Sequence, residues 1–207
     1  MLNDHTVERL IIYNRILKNL YKNGQKLVTS KAIAQVLSNT SAQVRRDLSS
    51  LGRKGKTGVG YDIGKLIDDI DGVLGLNRKW GLLLVGAGNL GRALFYYPGF
   101  RREGFEFRMI VDKDPRKIGK KWSGVEINSS TALRRKIRNK QIDIAVISVP
   151  ADRAQEVAER VVSSGVNEIM NFAPVTLNVP EGVNVRYVDL ALELENLSYQ
   201  LAVRKKR

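Results

Sequence analysis

A chain of 207 residues accommodates one domain or two, and a hydrophobic content of 43% is enough for a packed core, which excludes a disordered protein. No apolar run approaches the ~20 residues of a membrane span, and the absence of cysteine excludes disulfides and thiolate metal sites. The formal net charge of +14 points to a polyanionic partner.

That charge is uneven. Residues 1–60 hold eleven Lys and Arg against three Asp and Glu, a net of +8. The start of the chain, Met1 to His5, lacks the basic-then-apolar pattern of a secretory signal, so a cytoplasmic location is expected, with no membrane and no metal as partners.

Leu10, Tyr13, Leu17 and Leu20, with Ile16 beside them, recur at helical spacing and predict an amphipathic helix over residues 6–22, ended by Asn23-Gly24. Thr29 or Ser30 caps a short second helix with Ile33, Val36 and Leu37 on one face. Thr40 opens a third, and Gln43 three residues on fits a capping box. This helix carries Val44, Leu48 and Leu51 on one side, and Ala42, Arg45, Arg46 and Ser49 on the other. Two short helices joined by a tight turn, the second small, polar and basic, make a helix-turn-helix pattern whose second helix enters the major groove of DNA. Arg45 and Arg46 suit guanine edges or phosphates, and Ser41, Gln43 and Ser49 suit base or backbone contacts. The alternative is a small helical bundle with a solvated basic face, and Gln43, if it serves the cap, is not free to read a base. Arg53 to Tyr61 has three basic residues and three glycines in nine, the composition of a wing that follows the groove. Lys54, Lys56 and Tyr61 are its candidate contacts, with an ordinary surface hairpin as the other reading.

Asp62 caps a helix whose apolar face is Ile63, Leu66, Ile67, Ile70 and Leu74, ended by Gly75. Leu76 to Trp80 reads as a linker. The apolar run Leu82 to Val85 then leads into Gly86-Ala87-Gly88-Asn89-Leu90-Gly91, a G-x-G-x-x-G loop followed by a helical pattern. The first glycine suits a tight strand exit, the second lets backbone N–H groups approach a pyrophosphate, and the third lets helix pack close to strand. A second strand through Phe105, Phe107, Met109, Ile110 and Val111 leads to Asp112, at about the ~20-residue separation of an acidic residue that holds an adenine ribose. A carboxylate there repels a 2′-phosphate, so Asp112 favours NAD over NADP, and Lys113 beside it softens that preference. Ser129 or Ser130 caps a helix with Leu133 and Ile137. Ile142 to Val149 is an apolar strand, and a helix with Ala154, Val157, Ala158, Val161 and Val162 follows. Another strand runs through Ile169 and Met170. The alternation predicts a doubly wound parallel sheet, with ligands at the carboxyl ends of its strands. Ser148, Val149, Pro150, Asn171, Phe172, Ala173 and Pro174 sit at such ends, near the cofactor. A short strand from Val183 to Val188 precedes a last helix from Asp189, striped by Leu190, Leu194, Leu197 and Leu201 with Leu192 and Tyr199 off the stripe. The expected domains are 1–76, 77–188 and 189–207.

A sheet of this kind suggests an NAD-dependent oxidoreductase, which needs a substrate site and commonly an acid or base. The one histidine, His5, lies in the N-terminal segment, and only about twenty residues follow the sheet. Tyr96, Tyr97 and Lys120 are the remaining acid–base candidates. No metal-ligand spacing and no nucleophile motif is visible, so a non-catalytic role is the first reading and the oxidoreductase the alternative.

The combination resembles the Rex family of bacterial redox-sensing transcriptional repressors over nearly the whole chain. The resemblance rests on Tyr13-Asn14-Arg15-Ile16-Leu17, Gln43-Val44-Arg45-Arg46-Asp47-Leu48, Gly58-Val59-Gly60-Tyr61, Leu76 to Gly81, the glycine loop, Tyr97-Pro98-Gly99-Phe100 and Asn171-Phe172-Ala173-Pro174. It implies a homodimer of winged helices and Rossmann domains with an exchanged C-terminal helix, binding operator DNA and NAD(H). It also implies DNA contacts at Arg45 and Arg46, cofactor contacts at Gly86–Gly91 and Asp112, and a dimer switch of Arg15, Tyr97 and Asp189. Two positions depart from the family habit: Arg46 stands where Lys is frequent, and Leu190 where an aromatic residue is frequent beside the nicotinamide.

Overall fold

A computed structural model of the chain describes residues 2–37, 39–53, 55–56, 58–133, 137 and 140–205. Lys54, expected in the wing, lies outside the described residues, as do residues 134–136 and 138–139 of the helix expected around Leu133 and Ile137. The fold forms two compact units, Met1–Arg78 and Lys79–Arg207.

The first unit is helical with a two-stranded ribbon. Helix α1 (Asp4–Lys22) starts two residues earlier than the apolar stripe indicates, because Asn3 supplies the cap: its side chain accepts from the Thr6 N–H. Strand β1 (Leu27–Val28) is followed by α2 (Ser30–Val36), capped by Thr29, and α3 (Ser41–Ser49), capped by Thr40. Strand β2 (Tyr61–Asp62) pairs antiparallel with β1. Asp62 caps α4 (Ile63–Leu74), which Gly75 closes in the left-handed conformation at φ 66°. Leu10, Tyr13, Leu17, Ile33, Val44, Leu48, Ile63 and Ile70 make one core. Val36, expected on the buried face of α2, is instead 65% exposed, because the inward side of the helix is set by Ile33 and Ala34, continued by Leu37, and Val36 lies off it. Asp71 fastens α1 to α4 by accepting from Asn14 Nδ2 at 2.6 Å and Lys18 Nζ at 2.9 Å.

The second unit is a seven-stranded sheet of order β5-β6-β4-β3-β7-β8-β9. Its strands are β3 (Trp80–Val85), β4 (Phe105–Asp112), β5 (Lys121–Trp122), β6 (Val125–Ser129), β7 (Ile144–Ile147), β8 (Glu168–Asn171) and β9 (Asn184–Tyr187). Only the β5–β6 pair is antiparallel. The six parallel strands have the doubly wound dinucleotide-binding order, reversing direction of progress between β3 and β7. Helices α5 (Asn89–Tyr96), α6 (Pro98–Arg102) and α7 (Ala151–Ser163) connect them. Both faces are covered, so β3 is apolar without alternation. Leu83 and Val85 join Met109, Ala145, Ile147 and the α7 residues Ala154, Ala158 and Val161 on one face. Leu82 and Leu84 join Ile110, Val146 and Ile127 on the other, with Leu94 and Phe95 packed against them. The last helix, α8 (Leu190–Lys205), has no buried residue.

Leu48 is fully buried on α3 while Val36 is not, so the two alanine variants should separate sharply. Leu48→Ala is expected to cost about 2–5 kcal/mol in urea unfolding, and Val36→Ala to stay within about 0.5 kcal/mol.

Candidate functional site

The end of β3 is shaped by two glycines whose replacement would be costly and one that faces empty space. Gly86 leaves the strand at φ 100°, a conformation that side chains rarely adopt. Gly91 is the third residue of α5, where a Cβ would collide with the Gly86 carbonyl oxygen. Ser148, after β7, seals this corner: its N–H donates to the Val85 carbonyl at 2.9 Å and its hydroxyl to the Gly86 carbonyl at 3.0 Å. At Gly88 the situation is the reverse, since a Cβ would meet nothing within 4 Å. Gly88 is also the N-cap of α5 and brings no side chain to the first N–H groups of the helix. Room for an anion and free donors therefore coincide at one point.

A cavity of about 520 Å³ opens there, across the carboxyl ends of β3, β4 and β7. Gly86, Gly88, Asp112, Lys113, Val149 and Pro150, all expected cofactor contacts, line it. Ser148, expected at the same strand end as Val149 and Pro150, also lines it, as do Asp114, Lys117 and Arg153, which were not among the expected contacts. Lys117 and Arg153 carry no motif; only the positions of the strand ends bring them in.

Asp112 is the last residue of β4 and is mostly buried. Its carboxylate accepts from the Ala87 N–H at 2.7 Å, the Asp114 N–H at 2.8 Å and Lys117 Nζ at 3.2 Å. Burial alone would push its pKa up; the two backbone N–H groups and Lys117 outweigh this and hold it below the ordinary carboxylate value. Asp112 thus anchors the glycine loop to the exit of β4. Three of its roughly four acceptor positions are used, which leaves one for a ribose hydroxyl.

The remaining expected residues fall as follows. Ala87 and Gly91 are buried, and Asn89 and Leu90 are exposed at the start of α5. Asn171 is fully buried and turned onto its own loop, donating to the carbonyls of Ala173 and Val175 and accepting from the Ala173 N–H. Phe172 packs on the core face beside Leu82 and Leu84, Ala173 is buried and Pro174 exposed. None of these four lines the cavity beside Gly88. Tyr97 is exposed at the start of α6. Asp189 caps α8, accepting from the Ala191 and Leu192 N–H groups. Arg15 is exposed on α1.

In the first unit, α3 presents Arg45, Arg46 and Ser49 to solvent, with Ser41 and Gln43 half-buried. The capping box is only half formed. Thr40 Oγ1 accepts from the Gln43 N–H at 3.1 Å, but the Gln43 side chain turns away to Asp47 and Arg46. Tyr61, grouped above with the wing cations, is instead a core residue at 8% exposure: it lies on β2, whose pairing with β1 turns the ring inward. Lys56 is exposed in the tight turn that its bridge with Gly60 closes. Arg53 is paired with Asp69 of α4, so this cation braces the unit.

Asp47 is the residue that sequence reasoning passed over. It is 3% exposed and joins α3 to α1. Arg9 donates to both of its oxygens, from Nε at 2.7 Å and a terminal nitrogen at 2.8 Å, and the Tyr13 hydroxyl donates at 2.8 Å. Burial opposes its charge, but these bonds and one from Gln43 keep its pKa below the ordinary value. The matching four-residue spacings Arg9–Tyr13 and Gln43–Asp47 were the available signal.

A winged helix-turn-helix and a doubly wound dinucleotide-type sheet on one chain define a ligand-responsive transcription regulator. Residues 3–49 match the family model described as "Putative DNA-binding protein N-terminus", and residues 77–175 the one described as "CoA binding domain". The redox-sensing transcriptional repressor Rex of Carboxydothermus hydrogenoformans is 47% identical over 95% of this chain and 94% of its own. That of Streptomyces coelicolor is 43% identical over 94% of this chain and 75% of its own. The crystal structure of RSP in complex with beta-NAD+ and operator DNA superposes with a TM-score of 0.94 at 34% identity, covering 99% of this chain and 94% of that one. RSP in complex with beta-NADH gives 0.88 at 32% identity, covering 99% and 96%. The chain belongs to the Rex family of redox-sensing transcriptional repressors.

Two expectations follow. Gly88→Ala should fold like the parent and lose nucleotide affinity by about tenfold or more, whereas Gly91→Ala should also lower Tm, because its added methyl meets backbone; calorimetry and nucleotide titration separate the two. Asp47 and Asp112 both have lowered folded pKa values. Their contribution to stability is complete above the ordinary value of 3.8 and is lost as pH falls below it through the lowered values. Urea unfolding across this acid range should show the loss, and Asp47→Asn should reduce its pH dependence.

Proposed function

We propose that this protein is a homodimeric repressor that binds operator DNA through α3 of each copy and releases it when NADH binds, so reporting the NADH/NAD+ ratio. The observation that carries this reading is the TM-score of 0.94 to RSP, whose complex holds NAD+ and operator DNA together, with the beta-NADH complex of the same protein also matching. The residues fit a dinucleotide. Gly88 leaves space for a pyrophosphate, the first N–H groups of α5 point to it, and Asp112 retains an acceptor for a ribose hydroxyl. Val149 and Pro150 carry the site along the carboxyl edge, towards the segment Asn171–Pro174 after β8.

On this reading residues 1–76 read DNA, 77–188 hold NAD(H) and 189–207 join two copies. The support for the last is α8 itself. Leu190, Leu194, Leu197 and Leu201 are each more than half exposed, as are Leu192 and Tyr199 off the stripe, so the helix offers apolar surface around its circumference. Such a surface favours burial against a second copy. Arg15, Tyr97 and Asp189 are assigned to the switch between the DNA-competent and released arrangements. Linkage requires only that the released arrangement bind NADH better than the DNA-competent one.

Operator affinity measured with NAD+, with NADH and with no nucleotide tests the reading. NADH is expected to weaken binding about 5- to 150-fold, the range of a coupling of about 1–3 kcal/mol; equal affinity in all three defeats the redox switch. Sedimentation of Leu194→Asp/Leu201→Asp should give a monomer that retains nucleotide binding. A persistent dimer would remove α8 from the interface.

A further inference from the structure

Helix α3 carries two adjacent arginines that are held very differently. Arg46 donates from a terminal nitrogen to Gln43 Oε1 at 2.8 Å. Gln43 in turn donates from Nε2 to Asp47 Oδ1 at 2.8 Å. Asp47 is closed off from water and fixed by Arg9 and Tyr13 of α1. A continuous chain of hydrogen bonds therefore runs from α1 through a buried carboxylate to an exposed guanidinium on the DNA-facing side. The helical spacings, three residues from Gln43 to Arg46 and four from Gln43 to Asp47, make the chain geometrically natural. Arg45 has no such brace and only reaches Ser30 Oγ at 3.5 Å, the outer limit of a hydrogen bond.

We propose that Gln43 is a positioning residue and not a base reader: anchored by Asp47, it holds the Arg46 guanidinium ready for its contact with DNA. This rests on the DNA-binding function proposed above. Reading adenine requires the carboxamide oxygen and nitrogen of a glutamine together. In Gln43 the oxygen serves Arg46 and the nitrogen serves Asp47. Turning the amide outward would strip a donor from a buried carboxylate, which a water-excluded site resists. Arg46 uses one of its five N–H donors on Gln43 and keeps the others for phosphate or guanine. A side chain already held loses less freedom on binding than a free one, so the brace strengthens the Arg46 contact without touching DNA.

The test is a double-mutant cycle on an operator duplex that this protein selects from random-sequence DNA. Gln43→Ala is expected to weaken binding roughly three- to tenfold, the scale of one net hydrogen bond. In an Arg46→Ala background the same change should have less than about a twofold effect, while over Arg45→Ala it should keep its full factor. A full effect of Gln43→Ala over Arg46→Ala, or no effect in the parent, overturns the proposal. A second measurement needs no DNA: nitrogen relaxation of the arginine Nε–H groups in the free protein. Arg46 should be ordered in the parent and loosened by Gln43→Ala, with Arg45 unchanged. Unaltered order at Arg46 overturns the proposal. Failure of the parent protein to select any duplex counts against the repressor reading, and the relaxation result still decides the role of Gln43.

Discussion

The close approach of α5 to the end of β3 is the constraint on which the nucleotide site depends. It requires a backbone path at Gly86 that side chains disfavour, and a missing Cβ at Gly91 so that the helix can seat against the Gly86 carbonyl. Ser148 completes the corner from β7. Only when these three are packed does Gly88 become the open point above which an anion fits. The glycine motif is thus two packing requirements and one open point, and the open point, where the proposed nucleotide would sit, exists beside tight packing.

Each unit uses a buried carboxylate to hold its functional segment. Asp112 pins the glycine loop through the Ala87 N–H, and Asp47 pins α3 to α1 through Arg9 and Tyr13. Both charges are unfavourable in themselves, because burial penalises them. Both are retained because several donors converge, and removing any donor would leave a charge short of partners. The result is directional stiffness at the segments proposed to meet nucleotide and DNA, which nonpolar packing alone does not provide.

Much of the architecture was legible in sequence because it follows from local rules. The caps Thr29, Thr40 and Asp62 mark helix starts at the residues where those helices begin. The unbroken apolar runs at β3 and β7 follow from a sheet covered on both faces. The glycine spacing located the cavity. Errors arose where a local pattern had two solutions. Gln43 fits a capping box, yet its side chain finds a stronger acceptor in the Asp47 carboxylate. Tyr61 follows a run of glycines and cations, yet the pairing of β2 with β1 turns it into the core.

The sequence by itself determined that a basic helical unit precedes a dinucleotide-type sheet and that a leucine-rich helix ends the chain, because capping, periodicity and glycine spacing are properties of neighbours in the chain. Tertiary structure alone decided which polar groups meet. Asp47 lies 38 residues from Arg9, and Ala87 lies 25 from Asp112. Lys117 and Arg153 reach one cavity from different strand ends. Such pairings depend on how elements dock, and a hydrogen bond between distant residues leaves no periodic mark on either. The division between anchored Arg46 and unbraced Arg45, two neighbours of identical chemistry, is the clearest case: only the fold distinguishes them.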